Sequence, residues 1–486
     1  MQLSDPGLRK AQAFIDGKWV DADSGATTPV VNPSNGETIA EVAHCGAAET
    51  RRAIEAASRA FRGWRERTAK ERARALRRWF DLMMAHQEDL AVIMTAEQGK
   101  PLAESRGEIA YGAAFVEWFS EEARRVYGDT IPGPAGDKRI VTIKQPVGVV
   151  ACITPWNFPN AMLTRKVGPA LAAGCTVVCK PATSTPLSAL AIAELAVRAD
   201  IPPGVVNVLV GETRAIGGEL TGNPEVRKLT FTGSTEVGKK LIEQCAATVK
   251  RTSMELGGNA PFIVFDDADL DAAVQGTLLC KYRNAGQTCV CANRVLVQSG
   301  VYDAFAEKLA ASVSAMNVGD GMAPGTVIGP LIDRGAADSV LGMVDDAVGR
   351  GAEVLTGGKR AANGECFVEP TVLAGVRPDM RVFREEIFGP VAPLVKFDTE
   401  EQAVELANDT EYGLAAYFYS RDIGRIWRVA ERLDYGMVGI NEGIISNEAA
   451  PFGGVKESGI GREGSRYGMD EYLEIKYLCM GGIEPG

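Results

Sequence analysis

"VGVVACITPWNFPNAMLTRKVGPALAAGCTVVCK", residues 147–180, sets two short apolar, β-branched runs on either side of a helical stretch. Neither "VGVVACI" nor "TVVCK" shows the polar alternation of a half-exposed strand. Strands of this kind are covered on both faces, and helices that alternate with them make the strands parallel. The alternation continues through "ALAIAELAVRA", "VVNVLVG", "KLTFTG" and "STEVGKKLIEQCA". A doubly wound parallel sheet is predicted. A second α/β series begins near "MELGGNAPFIVF" and runs through "VLVQ", "AEVLTGG", "APLVKF" and "MVGIN".

Upstream, "FIDGKWVDADSG" reads as a hairpin, and residues 47–124 read as helices from the apolar spacing in "TRRAIEAASRAFRGW" and "ERARALRRWFDLMM". The loop "PGPAGDK" at 132–138 precedes "RIVTIKQP", which alternates as an exposed strand does, and "EYLEIKYLCMG" near the end reads as another strand. The expected fold is thus α/β, with two doubly wound domains and a β-strand arm. A cofactor-binding domain is assigned to 1–124 and 145–255, a catalytic domain to 256–455, and an oligomerisation arm with a C-terminal strand to 125–144 and 456–486. Exposed strand edges invite pairing, so these strands want a partner.

Composition narrows the partners. The 486 residues are 46% hydrophobic and 24% charged, as in a globular protein of two or three domains. With 63 Asp+Glu against 52 Lys+Arg, the net charge of -11 argues against nucleic acid or an anionic membrane and favours a small-molecule substrate. No run approaches the ~18 apolar residues of a membrane span, and the N-terminus lacks an apolar signal core, so a cytoplasmic location is expected. The ten cysteines are scattered, unlike a secreted disulfide framework. Only two histidines occur, His44 and His86, both ahead of every motif below. Ser-His or Cys-His catalysis and a zinc site are therefore disfavoured, and no metal is expected.

Five stretches carry candidate chemistry. In "LTFTGSTEVGKKL", Gly233 and Gly238 lead from a strand into a helix, where free amides suit a phosphate; the spacing is not G-x-G-x-x-G, so an ordinary tight turn also accounts for it. Lys180 ends a buried strand, where side chains enter the ligand crevice of an open α/β sheet; alone it reads equally as a surface lysine. In "TPWNFPN", the prolines hold a loop in which Asn157 is a donor for a developing oxyanion, or a structural turn amide. Glu255 in "MELGGNAP" is exposed, paired or poised as a base. In "RNAGQTCVCANR", residues 283–294, Cys289 follows a polar glycine-bearing loop in which helix ends and cations lower a thiol's pKa, while Cys291 opens a strand and packs.

Six motifs in this order, "TPWNFP", "CKPA", "FTGSTEVG", "MELGGNAP", "GQTC" and "EEIFGP", closely resemble the aldehyde dehydrogenase superfamily from about residue 12 to 482. "YRNAGQTCVCANR" and "NEGIISNEAAPFGGVKESGIGREGSRYG" look most like its succinate-semialdehyde dehydrogenases, and glutarate-semialdehyde enzymes look much the same. The resemblance implies that Cys289 is the nucleophile, Asn157 and the Cys289 amide hold the oxyanion, and Glu255 activates the hydrolytic water. Lys180 would bind the adenosine ribose, Ser234 the pyrophosphate, and Glu386 with Phe388 the nicotinamide ribose; Pro155 and Trp156 fall in the same cofactor set. Many NAD-preferring relatives place a glutamate where Thr183 stands. Thr183 and Ser184 can donate to a 2'-phosphate that a carboxylate would repel, so NADP is expected to be preferred, with NAD usable. Arg165, Arg283 and Ser446 would grip the distal carboxylate of an acid semialdehyde. Lys166 and Glu463 match positions linked to proton movement, and Cys291 matches one that oxidises onto the nucleophile in some members. The resemblance also implies a homodimer or a dimer of dimers. The expected activity is NADP-preferring oxidation of succinate semialdehyde. The alternatives are another short acid semialdehyde, such as glutarate semialdehyde, and a non-redox thioester hydrolase.

Overall fold

The computed structural model describes residues 1–483; the last three residues of the expected C-terminal segment lie outside the described residues. Five parallel strands form the centre of the first sheet, in the spatial order Arg251–Glu255, Val226–Thr232, Val149–Ile153, Thr176–Lys180, Val206–Val208. The chain starts in the middle, winds one way through Thr176–Lys180 and Val206–Val208, then returns to the other side through Val226–Thr232. Val149–Ile153 and Val226–Thr232 thus flank the topological switch point, where loops diverge and open a crevice. The strands Val149–Ile153 and Thr176–Lys180 are buried almost throughout, which is why they read as unbroken apolar runs.

The early hairpin, Ala13–Ile15 with Lys18–Val20, extends this sheet antiparallel at one edge. Helix Ala47–Glu66 packs on this sheet, whereas Ala69–Ala85, Gln87–Gln98 and Leu102–Glu122 pack on one another and on helices Ala161–Ala173 and Leu187–Arg198. The second sheet has seven strands, with Ala260–Val264 and Ala292–Gln298 at its centre and Val391–Phe397 and Ala415–Tyr419 beside them, all parallel. Two doubly wound α/β layers are therefore present, each with its own core.

A separate three-stranded antiparallel sheet joins Leu473–Met480, Arg139–Pro146 and Thr130–Pro132. Ile475 and Tyr477 on it are 70% and 61% exposed. The segment before it departs from the expected arm. Gly459–Ile460 pairs antiparallel with Met254 and Glu255 at the edge of the first sheet, and Phe452 bridges to Glu463. Gly459–Ile460, within the range expected to form the arm and C-terminal strand, thus lies on the first sheet, and Leu473 begins the strand of the three-stranded sheet. The reason is hydrogen bonding: Arg251–Glu255 would otherwise be an open sheet edge. No helix of the described residues is long and apolar enough to cross a membrane.

Candidate active site

The two loops leaving the switch point converge on one cavity of about 270 Å³ between the sheets. The loop after Val149–Ile153 contributes Pro155, Trp156 and Asn157, and the helix that follows, Ala161–Ala173, contributes Arg165. The turn after Val226–Thr232 contributes Gly233 and Ser234. From the opposite side come Arg283, Cys289, Glu386, Phe388 and Ser446. Residues nearly 300 positions apart therefore line one space. Trp156 and Phe388 meet edge to face with ring centroids 5.6 Å apart, closing one wall.

The loop that carries Cys289 is bent before it reaches that residue. After helix Leu270–Tyr282, Asn284 and Ala285 adopt left-handed φ of 50° and 53°, a conformation that side chains resist. Asn284 is held there by its own hydrogen bonds: its amide donates to Glu104 Oε2 at 2.7 Å, its Nδ2 to Asn157 O at 2.9 Å, and its Oδ1 accepts from Gln98 at 3.0 Å. At Gly286, φ is 75° and a Cβ would lie 2.2 Å from Gly389 O, so only glycine fits. Cys291 N then donates to Thr288 O at 3.0 Å, turning the chain around the half-buried Cys289. The Cys291 thiol is buried and directed to Lys281 O at 3.5 Å.

Asn157 is 5% exposed, and its Nδ2 donates to Gln287 O at 3.0 Å. A carbonyl accepts only, so this bond fixes which end of the amide is nitrogen. The second N–H of that nitrogen remains for a ligand. The side chain is thus an oriented donor tied to the loop that carries Cys289.

Burial dominates the electrostatics. It pushes the Cys289 thiol up to about 12, with Glu386 and Glu255 adding to the rise and Arg165 and Arg283 opposing it. The expected lowering is not present in the resting site, because two guanidiniums do not offset desolvation and two acidic neighbours. Glu255, 3% exposed, lies outside the cavity lining; its carboxyl is held well above the usual range by burial and by Glu463, against Arg165, Lys166 and Arg462. Its Oε2 is buried without a hydrogen-bond partner. Glu463 bridges two cations, lying 2.5 Å from Arg165 Nε and 2.5 Å from Lys166 Nζ, and Lys166 also reaches Thr230 at 3.2 Å. Arg165 was expected only as a substrate anchor; here it shares its charge with the residue expected in the relay. Its Nη2 is buried without a protein partner, and its guanidinium lies 3.9 Å above the Phe452 ring.

The remaining cofactor candidates spread along the crevice. Lys180 is 4% exposed, and burial lowers its ammonium to about 8 against the attraction of Glu212. Both oxygens of Glu212 are occupied by the Arg214 and Ala215 amides. Ser234 caps helix Thr235–Ala246 through Val237 N. Thr183 is half-buried, but Ser184 lines a different cavity, bounded by Asn32–Gly36 and by Asp333 and Arg334. Neither side chain lines the main cavity beside Cys289. Glu386 accepts from Gly258 N at 3.1 Å, and burial raises its carboxyl to about 8. Thr232 Oγ1, at the switch point, lines the main cavity, buried and without a partner. Buried cations, an oriented carboxyl and an orphaned hydroxyl fit a polyphosphate nucleotide.

Tyr111, Phe158 and Phe452 also line the cavity and went unnoticed in the sequence. Tyr111 lies on a helix whose pattern reads as plain core, and no local spacing reveals that it lines one cavity with Ser446.

Residues 19–478 match the aldehyde dehydrogenase family. The chain is 63% identical over 483 residues to a glutarate-semialdehyde dehydrogenase of Pseudomonas aeruginosa, covering 99% of this chain and 100% of the relative. It is 61% identical over 481 residues to succinate-semialdehyde dehydrogenase [NADP(+)] GabD of Escherichia coli, at 99% and 100% coverage. A 3-sulfolactaldehyde dehydrogenase of Pseudomonas putida is also 61% identical, over 484 residues, with 100% of both chains covered. The solved succinate-semialdehyde dehydrogenase of Burkholderia pseudomallei superposes with a TM-score of 0.98 at 63% identity, covering 99% of this chain and 100% of that one. A thiol and an oriented amide lining one cavity near a buried carboxyl, with sequence likeness of this extent, have one common explanation: the chain belongs to the aldehyde dehydrogenase family.

Proposed function

We propose that this aldehyde dehydrogenase oxidises succinate semialdehyde to succinate, with NADP preferred over NAD. The observation that carries the substrate class is the pair of guanidiniums, Arg165 and Arg283, lining the same cavity as Cys289 with Ser446 between two domains' loops. Two cations beside a hydroxyl, in a cavity whose walls are largely apolar, select an aldehyde with an anionic far end.

The Cys289 thiolate adds to the aldehyde carbon, forming the C–S bond, and the carbonyl oxygen becomes an oxyanion held by the free N–H of Asn157 and the Cys289 amide. A bound nicotinamide supplies the hydride acceptor that turns this adduct into a thioester. Glu255 takes a proton from water, which attacks the thioester and releases the acid and the thiol. A carboxyl whose proton affinity is raised by burial is a stronger base than an exposed one. Lys180, Ser234, Glu386 and Phe388 hold and orient the cofactor, and the absence of a carboxylate at Thr183 leaves room for a 2'-phosphate. Lys166 and Glu463 carry protons away from Glu255. Cys291 is a candidate for oxidation onto Cys289, with the turn at Thr288–Cys291 already bent. The reading includes a cytoplasmic homodimer or dimer of dimers, supported by the exposed apolar residues of the Leu473–Met480 strand.

Glutarate semialdehyde is the second substrate, favoured by the 63% identical relative. The test is a matrix of reduced-cofactor formation: succinate semialdehyde, glutarate semialdehyde, a sulfonated three-carbon aldehyde and butanal, each with NADP and NAD. The highest kcat/KM is expected for succinate semialdehyde with NADP. Equal rates for butanal would refute the anion grip, and a preference for NAD would refute the cofactor reading.

A further inference from the structure

Beneath the site, a buried polar cluster at the junction of helices Gln87–Gln98 and Leu102–Glu122 has no part in the mechanism above. Lys100 is 1% exposed, and its ammonium donates to Glu108 Oε2 at 2.5 Å and to Asn157 O at 2.7 Å. Glu108, also buried, accepts through its other oxygen from Asn160 N at 3.0 Å and Ala161 N at 3.2 Å, the first amides of the helix that carries Arg165. The same ammonium sits 3.9 Å from the centroid of Phe158, which lines the active-site cavity.

Burying a lysine and a glutamate carries a desolvation penalty that a plain salt bridge does not repay with stability. Each bond outside the pair reaches the loop 157–161. The carbonyl of Asn157 receives two donors, Lys100 Nζ and Asn284 Nδ2, while its side chain is tied to Gln287 O. Holding that carbonyl fixes the peptide plane after Asn157, and with it the direction in which the Cα–Cβ bond and the free amide N–H point. Asn284 and Gln287 lie in the loop that bears Cys289, so one ammonium sets the oxyanion donor against the nucleophile.

We propose that Lys100, clamped by Glu108, is a positioning residue of the dehydrogenase reaction, acting through the main-chain carbonyl of Asn157 to aim its side-chain amide at the substrate oxygen. This rests on the reading of Asn157 as oxyanion donor. Lys100 does not touch substrate; misplacing a donor by about 1 Å can slow the chemistry about 100-fold.

The test is Lys100→Met with Glu108→Gln in one chain, which removes the donor to Asn157 without stranding a buried carboxylate. With succinate semialdehyde and NADP, the first-turnover rate and kcat are expected to fall about 10–100-fold, with KM within about threefold and the Cys289 alkylation rate by iodoacetamide unchanged. In an Asn157→Ala background the same pair of changes should add less than about twofold, because the donor they aim is gone. A kcat within twofold of the parent, or a loss that multiplies in full on the Asn157→Ala background, overturns the proposal while leaving the site reading intact. Should Asn157→Ala alone leave kcat unchanged, the oxyanion reading falls and this proposal with it. The single change Lys100→Met serves where the double chain fails to fold, read by the same nonadditivity with Asn157→Ala.

Discussion

Arg283→Met isolates the substrate grip, because Arg283 forms no ion pair among the described residues and its guanidinium rests 5.3 Å from the Phe158 centroid. Its charge is free for a ligand, whereas Arg165 already shares Glu463. Removing one charge-assisted contact to a carboxylate forfeits about 1.5–3 kcal/mol. At about 1.4 kcal/mol per factor of ten, kcat/KM for succinate semialdehyde should fall about 10–150-fold. Butanal has the same chain length without the carboxylate, so its kcat/KM should stay within about twofold. The assay is initial-rate formation of NADPH with both aldehydes, on parent and variant. Arg165→Met would not give so clean an answer: it leaves the buried Glu463 with one cation fewer, a loss of about 3–5 kcal/mol in stability for a broken buried pair. If Arg283→Met slows butanal as much as succinate semialdehyde, Arg283 shapes the loop and does not bind the anion. An unchanged kcat/KM for succinate semialdehyde refutes the grip outright.

With the Cys289 thiol at about 12 in the free enzyme, its thiolate fraction near pH 7 is on the order of 1 in 10⁵ and rises tenfold per pH unit. Alkylation by iodoacetamide should therefore climb about 100-fold between pH 7 and 9 without levelling; a plateau below pH 9 would show that the thiol is not raised. Glu255→Gln should leave the first turnover intact and stop the second, with kcat lowered about 10²–10⁴-fold and an acyl-enzyme visible by mass spectrometry. In the parent, a base whose carboxyl is raised must be deprotonated to act, so hydrolysis increases as pH rises above the ordinary carboxylate range; hydrolysis already at full rate within that ordinary range would contradict it. Thr183→Glu should lower kcat/KM for NADP at least tenfold and that for NAD by under threefold, since the new carboxylate opposes a 2'-phosphate. Equal losses would show that the position does not face the ribose.

Several parts of the fold were legible because their causes are local. Val149–Ile153 and Thr176–Lys180 are covered on both faces, so burial is written into each residue in turn. The candidate residues at strand ends, Asn157, Gly233 and Lys180, follow from the same reading, since a doubly wound sheet opens its crevice there. That Ser184 lines a second cavity is not legible from its place next to Thr183, because hydrogen-bonding chemistry says nothing of the direction in which a loop turns. The sheet pairing of Gly459–Ile460 was not legible for a related reason. Its pairing with Met254 and Glu255 joins strands about 200 residues apart, and no periodicity within Gly459–Ile460 announces a partner.

What the chain determined by itself is its kind of chemistry: two histidines too early to serve, one cysteine behind a polar glycine loop, and glycines and amides at strand ends. These depend on residue type and on neighbours a few positions away. Tertiary structure alone decided the state of those groups. Desolvation, which depends on every residue packed around a site, lifts the Cys289 thiol and the Glu255 carboxyl instead of lowering the first. Glu463 meets Arg165 and Lys166, and Lys100 reaches under Asn157, because chain closure brings charges together irrespective of their distance in sequence. Charge interactions act through space, so their sum is known only when the fold has set the separations.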